Sequence, residues 1–315
     1  MLVFAAIPCM QKSIPHLSQG EHAAHALRLI GRFKWLRAKE LGRMLHPGRS
    51  TNRKDAERHL RKLLALNLVV ARPLPGNRPG KAYVLSERGA RWMNDWAGQA
   101  RYRPGTDWGT LRDGFWAPPD SWKHDLLAVG VLSYLAEQNG FEVQCEHALR
   151  MQADDAIKHP DGLLTDNSST ENRAPFTYWL EVENTRKTGA NMQKMVEALG
   201  LASRATPVVY YDSVQHAPVS MGMVAIHADA VDERGYKLNH LHRIEAGLKK
   251  RGVSRPLVLM VAWMTLDGIQ IGVEAVKLQA MIFDPETGSL APYAIKAKAP
   301  TLRQTVRGLL SSSTM

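Results

Sequence analysis

Three carboxylates and two lysines pose the chemical question for this chain. Pro160-Asp161-Gly162 lies within one apolar segment, and Leu180-Glu181-Val182-Glu183-Asn184 closes another. Side chains alternate along a strand, so Glu181 and Glu183 share one face and Val182 takes the other. Phe176, Tyr178, Trp179 and Leu180 make the rest of that segment apolar. Two like charges at the end of a buried strand repel each other and call for something positive nearby. A divalent cation held by hard oxygen ligands, with a substrate phosphate as a further ligand, meets that need. Lys187 and Lys194 follow in the loop and the next helix, where either could point back at the cluster.

Other polar residues carry weaker signals. Glu146 is a further metal ligand if it faces the active side of the sheet, and an exposed strand glutamate if it does not. His124 and Asp125 open a helix, where an aspartate suits the positive end of the dipole. His240-Leu241-His242 has ligand-like spacing without a nearby partner and reads as surface, and Asp154-Asp155 reads as a turn. No Gly-x-x-x-x-Gly-Lys loop supports ATP hydrolysis, and no Gly-x-Ser-x-Gly elbow supports an esterase-type nucleophile.

The elements that must hold these groups can be read from apolar periodicity. Ser121–Gln138 forms an amphipathic helix carrying Leu126, Leu127, Val129, Val131, Leu132 and Leu135. Strands are expected over 141–149, 156–165 and 176–184, then a helix over 189–202 and a strand over 207–214. A strand–helix–strand passage implies a parallel pair with a crossover, hence an α/β sheet. Farther on, 232–251 reads as a helix and 257–263 with 269–275 as a hairpin around Leu266-Asp267-Gly268; the tail is expected to be poorly ordered.

Charge divides the chain of 315 residues unevenly. Residues 1–104 hold 20 Lys and Arg against 6 Asp and Glu, while 105–315 hold 21 against 24, so the first third carries the whole positive excess of the +11 total. A basic module beside a slightly acidic one is the electrostatic footprint of DNA binding. Within that third, 21–33 and 35–45 show helical stripes, and His46-Pro47-Gly48 stops the second helix. Ser50, Thr51 or Asn52 can cap a third helix running to about Leu66 and burying Ala56, Leu60, Leu63 and Leu64. Its other face shows Asn52, Arg53, Lys54, Glu57, Arg58, Arg61 and Lys62, a composition suited to phosphates and base edges. Arg49 lies just before it. Strands at 68–70 and 83–85 flank a loop from Arg72 to Lys81 that includes Arg78 and is rich in Gly, Pro and cations. The run from Lys81 to Ala90 resembles the last strand and following helix of bacterial winged-helix proteins, and the likeness covers 22–97. Two tryptophans, Trp108 and Trp116, in the connector point to packing on a domain.

The carboxylate spacing resembles the PD-(D/E)xK nuclease superfamily, in which two acidic residues on adjacent strands bind Mg²⁺ and a lysine orients the attacking water. Asp161 and Glu181 match the acidic positions. Glu183 stands where the lysine belongs, and Lys194 is the candidate for a lysine moved to the following helix. The chain is similar, over about residues 22–202, to the replication-relaxation family of plasmid and mobile-element proteins. The matching features are the winged helix, His124-Asp125-Leu126, Glu146, Pro160-Asp161, Glu181-Val182-Glu183 and Lys194.

This resemblance implies a winged helix-turn-helix domain at 22–97, after an extension at 1–21. A connector at 98–120 would lead to an α/β, restriction-endonuclease-like domain at 121–298, with a mixed sheet flanked by helices, and a tail at 299–315. It implies a DNA-binding protein of plasmid or mobile-element replication or mobilisation with a Mg²⁺- or Mn²⁺-dependent endonuclease site. The alternative is a non-enzymatic regulator or replication accessory protein on a degenerate nuclease fold. Expected partners are double-stranded DNA, a second copy of the chain, and plasmid replication or transfer proteins. With no spanning apolar run and only Cys9 and Cys145, no membrane, disulfide or zinc-finger role is expected, and the bacterial cytoplasm, with its nucleoid or plasmids, is the expected location.

Overall fold

In the computed structural model, residues 17, 21–75, 80–105, 108–112, 115–151, 159–166, 176–184, 189–202, 219–231, 234–267 and 272–293 are described. The expected strand at 207–214, the tail at 299–315, Cys9, Arg78, Asp154, Asp155 and Lys187 lie outside them.

Helix α1 (His22–Phe33) buries the stripe Ala23, Ala26, Leu27, Ile30 and Phe33. Lys34 then takes a positive φ of 69° and turns the chain into a two-residue strand, β1 (Trp35–Leu36). Sequence periodicity places a helix over 35–45, but α2 spans only Ala38–Leu45. The difference is tertiary: Trp35 and Leu36 are both buried and pair with Val84 and Tyr83, so sheet contacts override local helical preference. Helix α3 (Asn52–Ala65) follows, burying Ala56, Leu60 and Leu63. Strands β2 (Val69–Pro73) and β3 (Lys81–Leu85) then pair antiparallel, in a sheet of order β1-β3-β2. Ser86 caps α4 (Glu87–Ala97), its Oγ accepting from the Gly89 N–H. Gly89 is obligatory there, since a Cβ would stand 2.0 Å from the Leu68 carbonyl oxygen.

The connector holds a small hairpin, β4 (Thr110–Arg112) and β5 (Phe115–Ala117). Trp108 is fully buried and stacks on Trp35 with ring centroids 4.6 Å apart, as the aromatic content of the connector suggests. Helix α5 (Trp122–Asn139) departs from the amphipathic expectation. Ten consecutive or near-consecutive positions, including Leu127, Ala128, Val129, Gly130 and Val131, are buried. A helix apolar all round is one enclosed all round. Here α5 lies between the main sheet and the basic module, touching β6 and β11 on one side and α2 on the other. Gly130 permits the approach to β11, because a Cβ there would meet Val273 at 2.8 Å.

The main sheet has seven strands: β6 (Glu142–Cys145), β7 (Gly162–Asp166), β8 (Phe176–Glu183), β9 (Val219–His227), β10 (Leu257–Asp267), β11 (Gly272–Asp284) and β12 (Ser289–Pro292). They lie in the order β12-β11-β10-β9-β8-β7-β6. β6-β7-β8 is an antiparallel meander, β9 runs parallel to both β8 and β10, and β10-β11-β12 is again antiparallel. The two parallel steps carry α7 (Gly189–Ala202) and α8 (His240–Lys250). The protein is thus mixed α/β with helices on the sheet. The strand expected over 141–149 ends at Cys145, and Glu146 instead opens the short helix α6 (Glu146–Arg150).

Two cores flank the sheet. Leu180, Val182, Met223 and Ala225 join α5 and, through it, the buried residues of α1, α2 and α3 in one contiguous cluster. Met195, Val196 and Leu199 of α7 and Ile244 and Leu248 of α8 cover the other face, over Val224 and Ile226. The basic module therefore shares its core with the larger sheet.

Candidate functional site

Strand β8 places Glu181 and Glu183 as alternation requires. Leu180 and Val182 face α5, while the register sets Glu181 beside Val224 and Glu183 beside Ile226, on the α7–α8 face. Both carboxylates are 1% exposed, and Trp179 Nε1 donates to Glu181 Oε1 at 2.8 Å. Gly162 pairs with Leu180, so Asp161 stands across from Glu181 at the end of β7.

Asp161 is held from several sides. Its N–H donates to the Leu180 carbonyl and its own carbonyl accepts from the Glu146 N–H, tying the ends of β6 and β8 together. Beyond this the backbone ladder runs out, and the side chain continues it: Oδ2 accepts from the Val182 N–H at 2.6 Å. Oδ1 lies 3.0 Å from His124 Nε2 of α5, whose Nδ1 is 3.4 Å from Asn184 Oδ1. In sequence His124 reads as part of a helix start; the structure brings it to the Pro-Asp carboxylate from 37 residues away. The His-Asp-Leu triplet is the one sequence signal that marks it.

Of the remaining expected ligands, Glu146 lines a cleft together with Asp161, and Lys194 does not. Glu146 sits on α6, paired with Arg150 at 2.6 Å. Lys194 is exposed, on the side of α7 turned away from the stripe of Met192, Met195, Val196 and Leu199. Among the described residues no group of three or more His, Cys, Asp or Glu is arranged to hold a metal ion. Asp161 is turned to His124 of α5 whereas Glu181 is buried on the α7–α8 face; each is a hard oxygen donor of the kind Mg²⁺ selects.

Beside Asp161 opens a cleft of about 260 Å³ between the basic module and α5–α6, lined by Lys34, His124, Asp125, Glu146, His147 and Arg150 among others. Burial raises the Asp125 carboxyl above its usual range, with His124 opposing. Burial also lowers the His147 imidazole to about 4, helped by the charges of Lys34 and Arg150. His147 is therefore neutral at neutral pH.

The expected DNA-contacting residues divide. On α3, Arg53, Lys54, Arg58, Arg61 and Lys62 are exposed, and Arg49, Ser50 and Thr51 stand exposed just before them. Arg53 pairs with Glu57 and Arg58 with Asp55, both at 3.0 Å on the surface. Lys81 is exposed at the start of β3, and Arg72 is half-buried on β2. Asn52 is not displayed for base reading: its Nδ2 donates to Glu137 Oε1 of α5 at 2.8 Å. Arg43 fastens the same corner, 3.5 Å from Glu137 and donating to the Val273 and Glu274 carbonyls at 3.1 Å each. His240, expected on the surface, is buried at 4% exposure, while His242 is exposed beside Glu245.

No family model matches the chain, and comparison with curated proteins and with solved structures returned no match.

Proposed function

We propose that this chain is a DNA-binding protein of plasmid or mobile-element replication or mobilisation, with α3 as its recognition helix. The observation that carries the reading is the outer face of α3, which presents Arg53, Lys54, Arg58, Arg61 and Lys62 to solvent from a rigid, buried inner stripe. The order α1-β1-α2-α3-β2-β3 supports a winged helix-turn-helix, with the segment between β2 and β3 as the wing. Cations on one helix face bind phosphates and release counterions, so affinity must fall steeply with salt. The test is a titration of duplex DNA with the full chain across salt concentrations, beside a variant with Arg53, Arg58 and Arg61 changed to Ala. A shallower salt slope in the variant supports the reading. Equal affinities and slopes would remove it.

A second reading is favoured by Asp161 and Glu181 lying on neighbouring chain segments, just before β7 and within β8, in the run α5-β6-α6-β7-β8-α7-β9. That order supports the likeness to PD-(D/E)xK nucleases and hence phosphodiester cleavage. Asp161 and Glu181 would hold Mg²⁺ or Mn²⁺, which when bound polarises a phosphate oxygen and activates water. His124 would position the Asp161 carboxylate. Supercoiled plasmid incubated with Mg²⁺ or Mn²⁺ distinguishes the two: nicking lost in Asp161→Ala supports an enzyme, and shifted but uncut plasmid supports a binding protein on a nuclease-like sheet.

A further inference from the structure

Away from the sheet, three histidines meet at the corner where α1, the end of α2 and α3 converge. His22 opens α1, His46 follows the last turn of α2, and His59 lies in the middle of α3. Their ring centroids are 5.1 Å (His22–His46), 5.7 Å (His22–His59) and 5.5 Å (His46–His59) apart. The Nε2 atoms of His46 and His59 are 3.4 Å apart. As a hydrogen bond this is long. As a ligand spacing it is apt: metal–nitrogen bonds of about 2.0–2.1 Å in a tetrahedral site set two nitrogens about 3.4 Å apart and their ring centroids about 5 Å apart.

We infer that His22, His46 and His59 form a three-histidine site for a divalent transition metal of the Zn²⁺ or Co²⁺ type, with a fourth position open to water. Three imidazoles are borderline nitrogen donors of the kind these ions select. His46 is buried, His59 half-buried and His22 exposed, so the site has a fixed floor and an accessible mouth. As they stand, no three such side chains among the described residues are arranged to hold a metal ion, so the site forms only as the rings, the exposed His22 among them, turn on binding. His46 and His59 are the two rings already in contact, their Nε2 atoms 3.4 Å apart. Asp55 supplies a negative charge to the same two rings.

A metal here clamps the start of α1, the turn before α3 and α3 itself. It therefore stiffens the presentation of Arg49, Arg53 and Arg58; this consequence rests on the DNA reading above, whereas metal binding does not. The test titrates Co²⁺ into the full chain and reads the visible bands of a four-coordinate site, with Zn²⁺ then displacing it. One equivalent per chain is expected, with a rise in Tm on adding Zn²⁺. His22→Ala combined with His59→Ala, at exposed and half-buried positions, should weaken binding by about 100-fold or more, beyond the range that losing an outer partner costs. His242→Ala, on the exposed side of α8, should leave it unchanged. Circular dichroism checks that the double variant folds. Absence of the bands in the parent chain, or an equal Zn²⁺-induced Tm rise in the folded double variant, overturns the site.

Discussion

Helix α3 and strand β8 each concentrate charge within a few residues, and the protein treats them in opposite ways. On α3 the cations are displayed: Arg53 and Arg58 keep 57% and 67% of their side-chain surface and pair with neighbouring acids. On β8 the carboxylates are hidden, with Glu181 and Glu183 under α7 and α8. A helix can turn its charged side to water while burying the other, because its period separates the two faces. A central strand covered on both faces cannot, so its charges must be satisfied inside. Exposed charge suits recognition of a large polyanion, and buried charge suits a role confined to the interior or to a small ligand.

The largest expected effect separates structural burial of charge from display. Arg37, just before α2, and Glu40, in its first turn, form a buried pair, their side chains 5% and 0% exposed, with Arg37 Nε donating to Glu40 Oε2 at 2.9 Å. Burial alone would raise the Glu40 carboxyl, but the Arg37 charge and hydrogen bond more than offset it and hold it low. Glu40→Ala leaves the guanidinium without its carboxylate and should cost about 3–5 kcal/mol in urea unfolding. A loss below about 1 kcal/mol would mean the corner relaxes to admit water.

Next comes recognition. Replacing Arg53 and Arg61 together by Ala should lower the salt slope of DNA affinity by about two, one for each phosphate no longer neutralised. An unchanged slope would transfer the interface elsewhere, and the contrast between α3 and β8 would then be structural without being functional.

A pH effect of intermediate size belongs to the cleft. The His147 imidazole titrates at 6.5 when unfolded and at about 4 when folded, so below pH 6.5 the unfolded chain binds the extra proton. Stability should therefore fall as pH drops from 6.5 toward 4, and His147→Gln should flatten that part of the profile. A profile identical in the variant would locate the acid sensitivity in other groups.

The smallest effect sharpens the contrast. Arg58→Ala removes an exposed pair with Asp55 and should leave the urea unfolding midpoint nearly unchanged, while still weakening DNA binding. If stability and DNA affinity fall together, the display on α3 is structural as well.

Much of the architecture is legible in the sequence. The stripes of α1 and α3 and the β2–β3 pair follow from local patterns. The expected helix, three strands and helix appear in that order up to α7, with the short helix α6 inserted after β6, but β9 at Val219–His227 escapes such a reading: its near-continuous apolar run carries no period that tells a buried strand from other buried chain. Glu146 reads as strand for a related reason, since one turn of helix leaves too few residues to show a period. On the carboxylates, alternation alone puts Glu181 and Glu183 on one face.

The information carried by the chain itself is therefore local: which segments repeat at 3.6 or 2, where turns must fall, and where the positive charge is concentrated. Which charges are displayed and which are committed is settled only by packing in three dimensions. Asn52 is committed to Glu137, 85 residues away, Asp161 to His124, and Arg43 to the backbone of β11. Packing likewise buries α5 all round and brings three histidines together from three helical segments. Such choices depend on which distant surface arrives opposite a side chain, and no spacing along the chain encodes that.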